Sequence, residues 1–153
     1  MIKIDMDWDD FSALHGVFGK NRAFLHLGDP ELLQTALANA KEVVWVTPEK
    51  PDVRHSLLKV IESLPEELEL DYLPRIDTIV NCLPLNLATS MRLMGRYMDA
   101  LNDGGYVIVR LNLMKEQEHY MDFILKDTTD KMGIERVSVV NMDGKRYFIG
   151  KKA

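Results

Sequence analysis

Short apolar runs of strand length alternate with stretches of helical spacing along most of this 153-residue chain. The first run covers residues 23–27 and stops at a Gly-Asp-Pro-Glu turn, after which apolar residues recur at helical spacing up to Ala40. A parallel return between strands needs a crossover connection, usually a helix, whereas antiparallel strands can be joined by a tight turn. The alternation therefore predicts an α/β fold, a three-layer sandwich with helices on both faces of a mostly parallel sheet.

Seven strands are predicted in all, most of them bounded by proline, glycine or charged residues. In chain order they cover residues 23–27, 42–47, 68–72, 77–83, 106–111, 136–140 and 146–149. Asp143 and Gly144 stand between the last two runs, and an Asp-Gly pair in that position is a strong hairpin signal. The chain is therefore expected to end with a C-terminal antiparallel hairpin in an otherwise parallel sheet.

Helices are predicted between these strands. One lies between Pro51 and Pro65, and its apolar side would carry Leu57, Leu58, Ile61 and Leu64. Another covers residues 86–101 and ends at a Gly-Gly pair, Gly104 and Gly105. Its methionine row is expected to pack on the sheet as core rather than to bind a partner; the row is Met91, Met94 and Met98. A last helix, residues 115–132, is ended by Gly133.

No repeat, low-complexity tract or linker divides the chain. Residues 23–153 are predicted to form a single Rossmann-like α/β domain, and the composition, 46% hydrophobic and 28% charged, suits one core of this size. Residues 1–22 are expected to be a helical lead-in, because large apolar side chains recur there at helical steps. These are Trp8, Phe11, Leu14 and Phe18.

Charge and cysteine content narrow the expected partners and location. A net charge of −5 argues against general nucleic-acid binding, and no apolar run approaches the ~20 residues that span a membrane. Cys82 is the only cysteine, so no internal disulfide can form, which favours a cytoplasmic protein. The four histidines and Cys82 share no ligand spacing, so no metal site is expected.

Three segments carry a family resemblance. Residues 24–28 read Phe-Leu-His-Leu-Gly, residues 77–85 open with an acidic residue and end in a proline-containing turn, and residues 101–109 contain Gly-Gly before a strand. With the final hairpin, these segments resemble strands one, four and five of the class I S-adenosylmethionine-dependent methyltransferases. The resemblance covers about residues 23–149. It implies a methyltransferase-like sheet of seven strands in the order 3-2-1-4-5-7-6.

The resemblance also implies that S-adenosylmethionine is the cofactor and that it binds where strands one, two and four end. The residues at those positions are His26, Gly28, Asp29, Thr47, Glu49, Asn81 and Pro84. Glu49 would accept hydrogen bonds from the ribose hydroxyls. Asn81 would be the catalytic candidate, because it would hold the atom that attacks the methyl group. The family's first turn is rich in glycine, whereas here Pro30 and Leu32 follow the single Gly28.

Other interpretations of these residues stay open. Asp29 and Glu31 bring negative charge to a helix start, which disfavours nucleotide phosphates more than it disfavours a sulfonium cation. His26 is also compatible with a packed strand histidine, Glu49 with a surface residue, and Asn81 with a strand end that bonds local backbone.

Two functions are compatible with these features. The first is a methyltransferase-like protein that binds S-adenosylmethionine and acts on an unspecified substrate. The second is a catalytically inactive protein of the same fold that serves as a binding or regulatory partner of another protein. A homodimer is compatible with either. A dinucleotide-binding oxidoreductase is disfavoured by the glycine-poor turn and by the final hairpin.

Overall fold

A computed structural model describes residues 3–5, 22–49, 51–112, 115–142 and 144–153. Its strands are β1 Lys3–Asp5, β2 Ala23–Gly28, β3 Glu42–Thr47, β4 Leu58–Glu62, β5 Ile76–Cys82, β6 Leu101–Arg110, β7 Ile134–Met142 and β8 Lys145–Lys152. Its α-helices, within these ranges, are α1 Leu33–Asn39, α2 Leu87–Tyr97 and α3 Met121–Met132. Short 3-10 helices cover Leu70–Tyr72, Met98–Ala100 and Lys115–Tyr120.

All eight strands belong to one sheet, in the order β1-β7-β8-β6-β5-β2-β3-β4. Neighbouring strands are parallel except where β8 pairs with β6 and with β7. Numbered from Ala23 and read from the other edge, the last seven strands have the order 3-2-1-4-5-7-6. The predicted mostly parallel sheet with a C-terminal antiparallel hairpin is therefore confirmed.

The helices lie on both faces of the sheet and separate the core into two clusters. On one face α1 packs through Leu33 and Ala36 against strand residues such as Phe24 and Ile108. On the other face α2 and α3 pack against the alternate residues of the same strands, among them Leu25 and Val107. The methionine row runs from α2 into the following 3-10 helix and lies in this second cluster, with exposures of 1%, 0% and 8% at Met91, Met94 and Met98. The three-layer prediction and the assignment of the methionines to the core are confirmed.

The helix predicted between Pro51 and Pro65 is wrong. Residues Leu58–Glu62 form strand β4 and pair in parallel with β3, from Val43 opposite Leu58 to Thr47 opposite Glu62. The apolar spacing indicated a helix, but Leu64, the last residue of that pattern, is 40% exposed. Val60 and Ile61 are β-branched and suit a strand. The crossover from β3 to β4 is consequently short and non-helical over its described residues.

The third strand was also predicted in the wrong place. Residues 68–72 end in the 3-10 helix Leu70–Tyr72, and Leu68 packs into the core with an exposure of 5%. The preceding turn is fixed by α2, since Arg96 donates to the carbonyls of Pro65 and Leu68 and the Tyr97 hydroxyl donates to Pro65. These long-range hydrogen bonds determine the conformation, and no local sequence pattern predicts them.

The Gly-Gly pair does not end a helix. Helical structure stops at Ala100, and Gly104 and Gly105 lie within β6. There the register with β5 shifts, from Ile76 opposite Leu101 to Thr78 opposite Tyr106, and Gly104 has a φ of 77°. The extra residues of β6 form a bulge, and glycine accommodates its left-handed backbone.

The lead-in contains a strand that was not predicted. Lys3–Asp5 pairs in parallel with β7 and adds an eighth strand at the sheet edge, so the expected helical lead-in is corrected at these residues. The helical positions Trp8, Phe11, Leu14 and Phe18 lie outside the described residues.

In the described part of the chain, no helix has both the length and the apolar character needed to cross a membrane.

Candidate functional site

A cleft of about 390 Å³ opens at the carboxyl ends of β2, β3 and β5. It is lined by Gly28, Asp29, Pro30, Trp45, Thr47, Pro48, Glu49, Pro51, Leu83 and Pro84. After β2 the chain adds β3 on one side of it and later returns to add β5 on the other. This is the topological switch point at which open α/β sheets bind ligands.

Five of the seven residues predicted from the sequence meet at this cleft: Gly28, Asp29, Thr47, Glu49 and Pro84. They come from three segments that are distant in the chain, and the parallel sheet brings their ends to one edge. His26 and Asn81 do not line the cleft. Both are buried, with exposures of 0% and 1%.

Gly28 is required by a contact between two strand ends. Its φ is 86°, and a Cβ placed on it would lie 2.8 Å from the Leu83 nitrogen and 2.9 Å from the Cys82 carbonyl carbon. The next residue, Asp29, donates its backbone N–H to the Cys82 carbonyl at 3.4 Å. The turn after β2 therefore packs directly on the backbone that follows β5, and any side chain at position 28 would push the two apart.

The backbone N–H groups of this turn are bonded inside the protein. Glu31 donates to the Asp29 carbonyl at 2.8 Å, and Leu33 donates to the Pro30 carbonyl at 3.4 Å. Leu32 donates to Nε2 of His26 at 3.4 Å, and Pro30 has no N–H. With Asp29 bonded to Cys82, the turn from residue 29 to 33 has no free backbone donor for a ligand.

His26 supports the turn from below. Its ring lies within β2, next to Trp45 on β3 and Val80 on β5 in register, and accepts the Leu32 N–H. Burial lowers the pKa of His26 to about 4, although the Glu31 carboxylate acts in the opposite direction. Nδ1 has no hydrogen-bond partner among the described residues. The imidazole is therefore a neutral structural acceptor at physiological pH.

Asn81 shapes one wall of the cleft indirectly. Its Oδ1 accepts the Leu83 N–H at 3.0 Å, and its Nδ2 lies 3.5 Å from the Ser90 carbonyl of α2. The side chain thus fixes the turn that places Leu83 and Pro84 in the cleft wall. Its amide is used by these two backbone groups, which makes it a positioning residue for that wall.

Trp45 is a cleft residue that the sequence reasoning missed. Its indole Nε1–H donates to the Gly28 carbonyl at 2.9 Å, so the ring spans from β3 to the end of β2. Thr47, two residues on, faces the same side of the strand and accepts the Glu49 N–H through Oγ1 at 3.4 Å. The two-residue period of a strand could have paired Trp45 with Thr47 as lining residues.

A partly buried ion cluster adjoins the cleft and was also missed. Glu31, with a side-chain exposure of 12%, accepts from Arg110, from Lys145 Nζ at 2.9 Å and from the Tyr147 hydroxyl at 3.0 Å. Burial disfavours the charge, but the bonds from Lys145 and Tyr147 and the Arg110 guanidinium hold the pKa of Glu31 below its ordinary value. Arg110 also lies 4.0 Å from Asp29. The partners stand 79 or more residues away, so no local motif reveals them.

The residues that line the cleft are rich in acidic and apolar groups and poor in N–H donors. Within the described residues its charged side chains are Asp29 and Glu49, both acidic, and four prolines contribute no N–H. This surface suits hydroxyl groups, cations and an apolar ring, as in the nucleoside and sulfonium parts of S-adenosylmethionine. The turn after β2 offers no free N–H to the carboxylate of that cofactor, which needs hydrogen-bond donors. No group of three or more potential metal ligands occurs in the described ranges.

No protein-family model and no curated protein matches the sequence of this chain. Solved structures do match in fold. N-methyltransferase NodS from Bradyrhizobium japonicum WM9 is 12% identical over 94% of this chain and 93% of its own, with a TM-score of 0.66. NodS in complex with S-adenosyl-L-homocysteine is 13% identical, over 86% of this chain and 78% of its own, with a TM-score of 0.64.

An rRNA methylase from Streptococcus thermophilus is 13% identical over 94% of this chain and 92% of its own, with a TM-score of 0.60. At identities this low the similarity shows the fold. The class I methyltransferase-like fold expected from the sequence is confirmed.

Proposed function

We propose that this chain is a methyltransferase-like protein that binds S-adenosylmethionine in the cleft at the ends of β2, β3 and β5. The observation that carries the proposal is the convergence of Gly28–Pro30, Thr47–Glu49 and Leu83–Pro84 on one cavity at the topological switch point. The fold shared with NodS, which has been crystallised with S-adenosyl-L-homocysteine, supports the choice of ligand.

Different lining residues would contact different parts of the ligand. The apolar walls made by Trp45, Pro48, Pro51 and Pro84 would enclose the adenosine, and Glu49 at the rim would accept hydrogen bonds from the ribose hydroxyls. Asp29 would face the cationic end of the ligand. When bound, the cofactor supplies a methyl group on a sulfonium, and transfer then depends mainly on alignment with the acceptor. Asn81 contributes by fixing the Leu83–Pro84 wall.

Calorimetric titration with S-adenosylmethionine and S-adenosyl-L-homocysteine tests the proposal. We expect saturable binding in the micromolar range. Replacing Glu49→Ala should weaken it about tenfold or more, because a hydrogen bond to a charged acceptor contributes about 1.5–3 kcal/mol. Glu42→Ala removes a carboxylate from the first residue of β3, at the end of that strand away from the cleft, and should leave binding unchanged. The proposal would be contradicted if no heat of binding were measured up to millimolar ligand while circular dichroism showed a folded protein.

A second function is favoured by the structure of the turn. Its N–H groups are all bonded internally, and its glycine is used for backbone packing, so the segment can be explained without a ligand. This is what we would expect of a catalytically inactive protein of the same fold that acts as a binding partner of another protein. That function predicts neither heat of binding nor a shift in the thermal midpoint with either nucleoside.

A further inference from the structure

We propose that the cleft selects adenine nucleosides whose 5′ substituent is cationic and carries no carboxylate. The inference rests on the proposed function, because it concerns the same cleft, and it names the class of ligand that the cleft accepts best. On this basis decarboxylated S-adenosylmethionine binds more tightly than S-adenosylmethionine, which binds more tightly than S-adenosyl-L-homocysteine.

Hydrogen-bond donors provide the first argument. A bound carboxylate is stabilised by free N–H groups or cations, and the turn after β2 offers neither. Its N–H groups are bonded to Cys82, Asp29, His26 and Pro30. On the facing wall, Leu83 donates to Asn81 and Leu85 donates to the Leu83 carbonyl. A ligand carboxylate placed here would lose its hydration without replacement, which is costly.

The charges of the lining provide the second argument. Asp29 lies on the turn with a side-chain exposure of 59%, and Glu49 lies on the exposed rim at the end of β3. Arg110 contacts Glu31 and lies 4.0 Å from Asp29, but it is not one of the residues that line the cleft. The charged side chains that line the described part of the cleft are both acidic, and their field attracts cations and repels carboxylates.

The three ligands differ in net charge in a way that tests this field. S-adenosyl-L-homocysteine carries one ammonium and one carboxylate and is neutral overall. S-adenosylmethionine adds a sulfonium and has a charge of about +1, and loss of its carboxylate raises that to about +2. Partly exposed charges a few ångströms apart interact strongly enough to change affinity by about tenfold for each added charge at low salt. The preference should shrink in high salt, where screening is stronger.

The test is a set of calorimetric titrations of the full chain with these three ligands and with 5′-methylthioadenosine, at low and at high sodium chloride. We expect the order given above, with 5′-methylthioadenosine weaker than the decarboxylated cation. The isosteric variants Asp29→Asn and Glu49→Gln should each reduce the preference for the cation over S-adenosyl-L-homocysteine about tenfold. Glu42→Gln, a matched change at the other end of β3, should leave it unchanged.

The outcomes separate this inference from the proposed function. If S-adenosyl-L-homocysteine or 5′-methylthioadenosine binds as tightly as the decarboxylated cation, the selectivity is disproved while the nucleoside cleft stands. A preference that survives in both neutralised variants also overturns the assignment to Asp29 and Glu49. If none of the four ligands binds the folded protein, the proposed function itself fails, and the inference fails with it.

Discussion

His26 lies in an environment that differs strongly from that of a free histidine, because its side chain is buried in the sheet. It occupies a strand position at which its ring is fully buried, and it holds the turn after β2 by accepting the Leu32 N–H. A protonated imidazole could not accept that bond at Nε2, and it would place a charge in the core. The neutral form is therefore a condition of the native structure.

This environment predicts a loss of stability in mild acid. The pKa of His26 is about 4 in the folded chain against 6.5 for a free side chain, so between these values the unfolded state binds more protons. The contribution is complete above pH 6.5 and falls as the pH decreases towards 4, by up to about 3 kcal/mol. Urea denaturation from pH 4.5 to 7.5 measures it.

His26→Gln keeps an acceptor for the Leu32 N–H and should flatten this dependence, whereas His119→Gln changes an exposed histidine and should not. Glu31 and Asp77, whose pKa values are lowered, lose most of their contributions below pH 4.5, the lower limit of the range tested. An unchanged pH dependence in His26→Gln would refute the assignment.

At the scale of elements, the ion cluster at Glu31 connects three parts of the fold. Glu31 stands just before α1, Arg110 ends β6, and Lys145 and Tyr147 lie in β8. Helix α1 has only seven residues and no side-chain cap at its N-terminus, so it is marginal by itself. The cluster is what fixes its start against the sheet.

Glu31→Gln should therefore be more costly than an ordinary surface change. Arg110 and Lys145 would lose their shared counter-charge at a partly buried site, and we expect the free energy of unfolding to fall by about 1–3 kcal/mol. Asp127→Asn is the control, because its pair with Lys131 is exposed and should cost less than about 0.5 kcal/mol. Urea denaturation at pH 7 measures both. Equal effects would show that the cluster does not fix α1.

At the scale of the whole molecule, the two core clusters cannot separate. They lie on opposite faces of the same strands, so that β2 contributes Phe24 to one cluster and Leu25 to the other. Loss of either cluster exposes one face of every central strand. The domain is therefore expected to unfold as one cooperative unit.

The variant Trp8→Phe leaves Trp45, in β3, as the only tryptophan and makes fluorescence a local probe of the cleft side of the sheet. Its thermal transition should coincide with the loss of secondary structure measured by circular dichroism. A fluorescence transition at clearly lower temperature would show that the cleft edge unfolds separately from the rest.

Sequence reasoning succeeded where local signals and topology agreed. The first strand, its turn, the Val-rich second strand and the final Asp-Gly hairpin have patterns that depend on near neighbours, and their strands pair as expected. It failed between Pro51 and Tyr72, where the apolar spacing suited a helix as well as a strand. Two tertiary contacts determined the structure there. Strand β4 pairs with the edge of β3, and Arg96 and Tyr97 hold the Pro65 turn.

The sequence by itself determined the class of fold, the sheet order through its resemblance, and the strand ends at which a ligand cleft would form. It did so because strand and helix periodicities are local and because parallel strands bring their carboxyl ends to one edge. Only the tertiary structure decided which polar groups at that edge are free. The bonds that engage the turn's N–H groups, bury His26 and compensate Glu31 join residues far apart in the chain, and hydrogen bonding and desolvation act through space.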